Sequence, residues 1–169
     1  MRITLAELKF HPITVSESYE PGALNFQGAD FRQTAPVKLN ATAELLGTEI
    51  RILGNLSTRL EFNCDRCLRP VEIPVRCDFD LFYRPAESIA KEEEIEVPTD
   101  EMEIGFYSED GIDLADVATE QVILAVPMKV VCSDECRGLC PVCRANRNLT
   151  DCECAPPRLD SPFASLQDN

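Results

Sequence analysis

Cysteine spacing constrains this chain more than any other feature. Six cysteines fall between residues 132 and 154 in the pattern C-x3-C-x3-C-x2-C-x8-C-x-C, and a separate C-x2-C pair stands at Cys64 and Cys67. Two thiolates spaced this way in a tight turn reach one ion, and structural zinc takes four ligands in a tetrahedron, with sulfur at about 2.3 Å. Cys64-Asp65-Arg66-Cys67 and Cys140-Pro141-Val142-Cys143 each have the form of such a knuckle. The eight cysteines make two four-sulfur sites or one site with spare thiols, so Zn2+ is expected at one or two per chain. The working partition places Cys140, Cys143, Cys152 and Cys154 in a local site and lets Cys64 and Cys67 reach Cys132 and Cys136. A one-ion arrangement drawing on fewer of them stays open. Gly138 offers the permissive backbone that a chain reversal needs.

Buried free thiols and redox cysteines are the competing readings. A thioredoxin-like pair opens a helix in a βαβ pattern, whereas Cys64 and Cys67 lie between two strand patterns. The ninth cysteine, Cys77, sits on the apolar face of an alternating run and reads as a core thiol. No continuous apolar leader opens the chain, and its longest apolar run, Val122 to Met128, is too short to span a bilayer. These features predict a cytoplasmic protein with no membrane partner, and in a reducing compartment metal explains paired cysteines better than disulfides do.

Hydropathy patterning supplies the scaffold. Val37, Leu39, Ala41, Ala43 and Leu45 alternate with polar neighbours, the period-2 signature of a half-buried strand, and Gly47-Thr48 then turns the chain. Ile50, Ile52, Leu56, Leu60 and Phe62 continue the alternation, with Gly54 marking a bulge or a close backbone approach. Val71, Ile73, Val75, Cys77, Phe79, Leu81 and Tyr83 share one face of a third strand. Asp113 is a good N-cap for a helix over about 113–126, with Leu114, Val117, Ala118, Gln121, Leu124 and Ala125 on its apolar face and Pro127 as its stop. The predicted class is α+β: an antiparallel meander with one or two helices and a cysteine-rich zinc knuckle at the C-terminal end. Residues 1–131 form the β-rich domain, 132–154 a cysteine-rich segment packed on it, and 155–169 a polar tail. Residues 1–36, broken by Pro21-Gly22, Gly28 and Pro36, read as irregular connections between short pieces.

The formal charge of −14 excludes a surface that attracts phosphate everywhere. Most of it is local: residues 87–120 hold thirteen acids and one lysine, a net of −12, leaving −2 for the remainder. The acidic part, residues 87–112, reads as a solvated connection interrupted by a short strand around Ile104 to Tyr107. Catalysis finds little support. The single histidine, His11, precedes Pro12 as a surface or turn residue, and no GxxxxGK, GxGxxG, GxSxG or H-x-E motif is present.

Several segments taken in order resemble the YceD family of large ribosomal RNA subunit accumulation proteins. They are Cys64-Asp65-Arg66-Cys67-Leu68-Arg69-Pro70, Ile112-Asp113-Leu114 with Glu120-Gln121, Ala125-Val126-Pro127-Met128-Lys129, and Cys136-Arg137-Gly138-Leu139-Cys140-Pro141-Val142-Cys143-Arg144-Ala145-Asn146. The resemblance runs from about Cys64 to Cys154 and departs from the family pattern at Arg144, where the knuckle often carries Gly, and at Arg147. It implies a bacterial or organellar, non-enzymatic factor that supports accumulation of 23S ribosomal RNA in large-subunit biogenesis. The eight cysteines named above are then candidate ligands of a zinc scaffold, and large-subunit ribosomal RNA or a pre-ribosomal particle is the partner. Lys129, Arg137, Arg144 and Arg147 gather around the cysteines and are candidate RNA contacts. The alternative is an acidic protein-binding module, a chaperone for a basic ribosomal protein. A zinc-dependent enzyme ranks last.

Overall fold

Every second side chain from Val37 onward has an apolar face to reach, and the chain extends accordingly. A computed structural model describes residues 1–87, 104–108 and 111–155. Within them the elements run β1 (Arg2–Ile3), α1 (Leu5–Leu8), β2 (Ile13–Tyr19), β3 (Phe31–Gln33), β4 (Val37–Leu46), β5 (Glu49–Asn63), β6 (Pro70–Pro85), β7 (Ile104–Tyr107), β8 (Ile112–Asp113) and α2 (Leu114–Leu124). Most of the predicted acidic connection and of the polar tail lies outside the described residues. Two compact units result: Met1–Phe62 with Glu72–Met128, and Asn63–Val71 with the described residues from Lys129 onward.

The first unit is a sheet. Val37, Leu39, Ala41 and Ala43 of β4 are buried together with Ile50, Ile52, Leu56 and Leu60 of β5. The two strands pair antiparallel in one unbroken register from Lys38 opposite Ser57 to Leu46 opposite Glu49. Gly47, at φ +67°, turns the two-residue hairpin between them. Unbroken pairing means that Gly54 is a close approach and not a bulge. A Cβ there would lie 2.6 Å from the Asn40 carbonyl oxygen and 2.6 Å from the Phe79 ring. On β6, Ile73, Val75, Cys77, Phe79, Leu81 and Tyr83 turn inward while Pro74, Arg76, Asp78 and Asp80 are exposed. Ion pairs join Arg51 to Asp80 at 2.6 Å and Arg59 to Glu72 at 3.1 Å. The first matches an early residue of β5 with a late one of β6 and the second a late one with an early one, as antiparallel neighbours must. Cys77, expected in the core, is half-buried, with its thiol 3.8 Å from the Gln121 carbonyl.

The α+β class and the meander of β4, β5 and β6 are as expected. The larger sheet has the order β2-β4-β5-β6-β7 with β3 pairing β5, and β7 runs parallel to β6, so the sheet is mixed at that edge. Pro85 and Ile104 are separated by eighteen residues, enough for the crossover that a parallel pair needs. The N-terminal residues are also more ordered than their punctuation suggests. All seven residues of β2 pair with β4, from Ile13 opposite Ala43 to Tyr19 opposite Val37, and β1 pairs with β8. Only Val15 of β2 is fully buried, and its cross-strand contacts are polar, such as Ser16 to Asn40 at 2.8 Å, so the hydrophobic signal was thin.

The Asp113 carboxylate caps α2 by accepting from the Ala115 N–H at 2.9 Å. Leu114, Val117, Ala118, Gln121 and Val122 form its buried face, whereas Leu124, expected inside, is 70% exposed at the last turn. The helix ends ahead of Val126, the residue that Pro127 keeps from helical geometry. Among the described residues no helix is long and apolar enough to cross a membrane.

Candidate metal centres

The two C-x2-C segments fold alike. In the first, the Cys64 N–H donates to the Arg69 carbonyl at 2.8 Å and the Leu68 N–H to the Cys64 carbonyl at 2.8 Å. In the second, Cys140 donates to the Ala145 carbonyl and Arg144 to the Cys140 carbonyl, both at 2.9 Å. Each turn is completed by a residue in the left-handed region, Leu68 at φ 58° and Arg144 at φ 59°. Glycine is at ease there and other residues are not. The departure at Arg144 therefore keeps the knuckle and adds strain.

Cys64, Cys67, Cys132 and Cys136 form one cluster, with all sulfurs within 4.8 Å of one another. Cys64 and Cys136 are 3.9 Å apart, and Cys67 and Cys132 3.7 Å. A tetrahedron with sulfur about 2.3 Å from its centre has edges of about 3.8 Å, so the donor set fits one zinc-sized ion. Val71, Val131 and Leu139 pack around these cysteines in a small core. Cys140, Cys143, Cys152 and Cys154 form the second cluster under the same 4.8 Å limit. Here Cys140 is buried, Cys152 half-buried, and Cys143 and Cys154 exposed.

Competition for charge among the thiols shows why a cation suits them. Burial pushes Cys64 up, but N–H groups of Arg66, Cys132 and Cys67 outweigh it and bring the thiol down to about 6. The Arg69 N–H lowers Cys67, yet burial and the neighbouring sulfurs win and push it up to about 11. In the second cluster the N–H groups of Cys143 and Val142 bring Cys140 down to about 6, while the Cys143 sulfur pushes Cys154 up to about 12. In the first cluster Cys64 and Cys136 are favoured as thiolates and Cys67 is resisted, and in the second Cys140 is favoured while Cys152 and Cys154 are resisted. A dication removes that conflict.

Three bracing residues escaped the sequence reading. The Arg66 guanidinium donates from Nη1 to the carbonyls of Asp134 at 2.9 Å and Cys136 at 3.0 Å. Asp65 accepts from the Val130 N–H through its carboxylate at 2.7 Å and donates its own N–H to the Val130 carbonyl at 2.9 Å. Asn148 donates from Nδ2 to the Cys136 sulfur at 3.3 Å, and its Oδ1 accepts from the Arg137 N–H at 2.8 Å. Such outer contacts fix the orientation of sulfur ligands. A charged Asp-Arg pair inside a tight C-x2-C turn was the available signal for the first two. Gly138 stands at φ +71°, and a Cβ there would lie 3.0 Å from the Arg66 carbonyl oxygen.

Lys129, Arg137, Arg144 and Arg147, the candidate RNA contacts, are all exposed. Arg137 forms an ion pair with Asp151 at 2.7 Å. Arg144 and Arg147 are engaged through their backbone N–H groups, with no side-chain partner among the described residues.

The profile of the large ribosomal RNA subunit accumulation protein YceD matches residues 52–168. The chain belongs to the YceD family. The matched span takes in both cysteine clusters and α2. An uncharacterized protein of Mycobacterium tuberculosis is 26% identical over 147 residues, covering 85% of this chain and 69% of the relative. The uncharacterized protein YlbN of Bacillus subtilis is 26% identical over 122 residues, 70% of this chain and 64% of its own length. The chloroplastic large ribosomal RNA subunit accumulation protein YCED homolog 1 of Arabidopsis thaliana is 22% identical over 166 residues, 81% of this chain and 49% of that protein. No solved structure gives a significant match.

Proposed function

We propose that this chain is a non-enzymatic factor that supports the accumulation of large-subunit ribosomal RNA, through its synthesis, processing or stability during subunit assembly. Family membership supports the RNA assignment, as does the name of the Arabidopsis relative. The observation that carries the non-enzymatic part is the donor chemistry: each cluster offers four thiols, a closed set, whereas catalytic zinc keeps a position open for water or substrate. Cys64, Cys67, Cys132 and Cys136 would hold one zinc ion, and Cys140, Cys143, Cys152 and Cys154 another. The ions would supply the positive charge that lets all the thiolates coexist and would tie the knuckles to the chain that follows. The partner is large-subunit ribosomal RNA or a pre-ribosomal particle, met in the cytoplasm of a bacterial cell, with Lys129, Arg144 and Arg147 free to reach phosphate and Arg137 available by exchange from Asp151.

The test is depletion of the protein in growing cells followed by the ratio of large- to small-subunit ribosomal RNA. A fall restored by the wild-type chain supports the assignment, and an unchanged ratio refutes it. Crosslinking in the same cells identifies the partner. Capture of a basic ribosomal protein without RNA would replace this reading with docking by the acidic stretch, whose net charge is −12 over residues 87–120.

A further inference from the structure

The two clusters have the same ligands and very different access. Cys64, Cys67 and Cys136 are 0%, 4% and 5% exposed and sit within an apolar core. In the second cluster Cys143 and Cys154 both face solvent, with sulfurs no more than 4.8 Å apart. The clusters also differ in what they hold. The first joins segments 65 residues apart and is braced by Arg66 and Asp65, whereas the second closes within residues 140–154. Opening the second cluster disturbs a short local loop, and opening the first separates distant parts of the unit.

Thiol oxidation follows access to sulfur and the presence of a second thiol within reach. Both conditions are met at Cys143 and Cys154. We propose that the second cluster is an oxidation site, at which hydrogen peroxide joins Cys143 to Cys154 in a disulfide and expels the ion while the first cluster stays closed. This rests on the metal reading above. In the first step the Cys143 thiolate attacks the peroxide O–O bond, forming an S–O bond as a sulfenic acid and releasing hydroxide, which takes a proton to become water. The Cys154 thiolate then attacks that sulfur, the S–S bond forms, the S–O bond breaks, and a second hydroxide takes a proton. Two thiolates lose two electrons, the peroxide becomes two waters, and two protons are consumed. Cys140 and Cys152 alone are half of a tetrahedral set, so the ion leaves.

The test uses the full chain purified with zinc under reducing conditions. Elemental analysis comes first: two ions per chain are required, and fewer refutes the metal reading and this proposal with it. Hydrogen peroxide is then added with a chromogenic zinc indicator, and peptide mass mapping follows. The expected result is release of one ion at least about tenfold faster than the other, with Cys143 linked to Cys154 and reversal by dithiothreitol plus zinc. In Cys154→Ser, a sulfenic-acid trap should label Cys143. With two ions present at the start, simultaneous release, earlier oxidation of Cys64, Cys67 or Cys136, or full retention of both ions would overturn the oxidation site and leave the metal reading standing.

Discussion

Arg144→Gly should make the protein more stable, because the residue it removes is held at φ 59°. A side chain in the left-handed region costs about 1–2 kcal/mol. Glycine relieves that strain but gives the unfolded chain extra freedom worth about 0.5–1 kcal/mol. The difference leaves a gain of about 0.5–1 kcal/mol, or about 1–4 °C in Tm for a chain of this length. Little is lost with the side chain, which is exposed and makes no side-chain bond among the described residues. Arg144→Ala is the control, since alanine removes the same side chain and keeps the penalty. Thermal unfolding of the zinc-loaded protein, with zinc release followed in parallel, should rank Arg144→Gly above wild type and Arg144→Ala level with or below it. Equal Tm values for the two variants would refute the reasoning. At Leu68, which is 62% exposed, the same change forfeits some packing, and a smaller gain is expected.

Gly54→Ala should destabilise by about 1–3 kcal/mol, since its Cβ would meet the Asn40 carbonyl and the Phe79 ring; urea unfolding measures it, and adding Phe79→Leu should recover part of the loss. Arg66→Ala removes two hydrogen bonds from a charged donor and should speed chelator extraction from the first cluster by about tenfold or more, leaving the rate at the second unchanged. Stripping both ions should expose residues 129–155 to proteases while the far-UV β signal of the sheet persists; loss of both together would contradict the division into units. Asp80 is held below its ordinary value by the Arg51 hydrogen bond, and Glu72 by the Thr34 hydroxyl and then Arg59. A depressed carboxylate adds stability above its unfolded value and loses it as pH falls through the folded one. Wild type should therefore lose slightly more stability than Asp80→Asn below about pH 4, and equal losses would argue against the pair.

Where side chains alternate cleanly the sequence was easy to read. β4 and β6 each place an apolar residue at every second position over a long run, β5 does so apart from Gly54 and Thr58, and a shift of one would turn the whole set to water. Helix α2 was marked by its cap and by Pro127 for equally local reasons. β2 was not legible, because it is held largely by backbone pairing and by hydroxyl and amide contacts that depend on β4 being beside it. The parallel direction of β7 likewise belongs to a partner eighteen residues away. At the cysteines, spacing identified the knuckles, whereas the partition among distant ligands was one alternative among several. Arg66, Asp65 and Asn148 were missed because their roles depend on carbonyls, N–H groups and a sulfur brought near only by folding.

The first cluster also sets an order of events during synthesis. Its knuckle is complete once Cys67 is made, but its remaining ligands begin 65 residues later at Cys132. At about 5–20 residues per second the growing chain carries that half-site open for about 3–13 s, while strands β6 and β7 and helix α2 are still emerging. The second cluster needs only residues 140–154. Translation speed and the supply of metal at the ribosome therefore bear on the earlier pair of thiols far more than on any other in the chain.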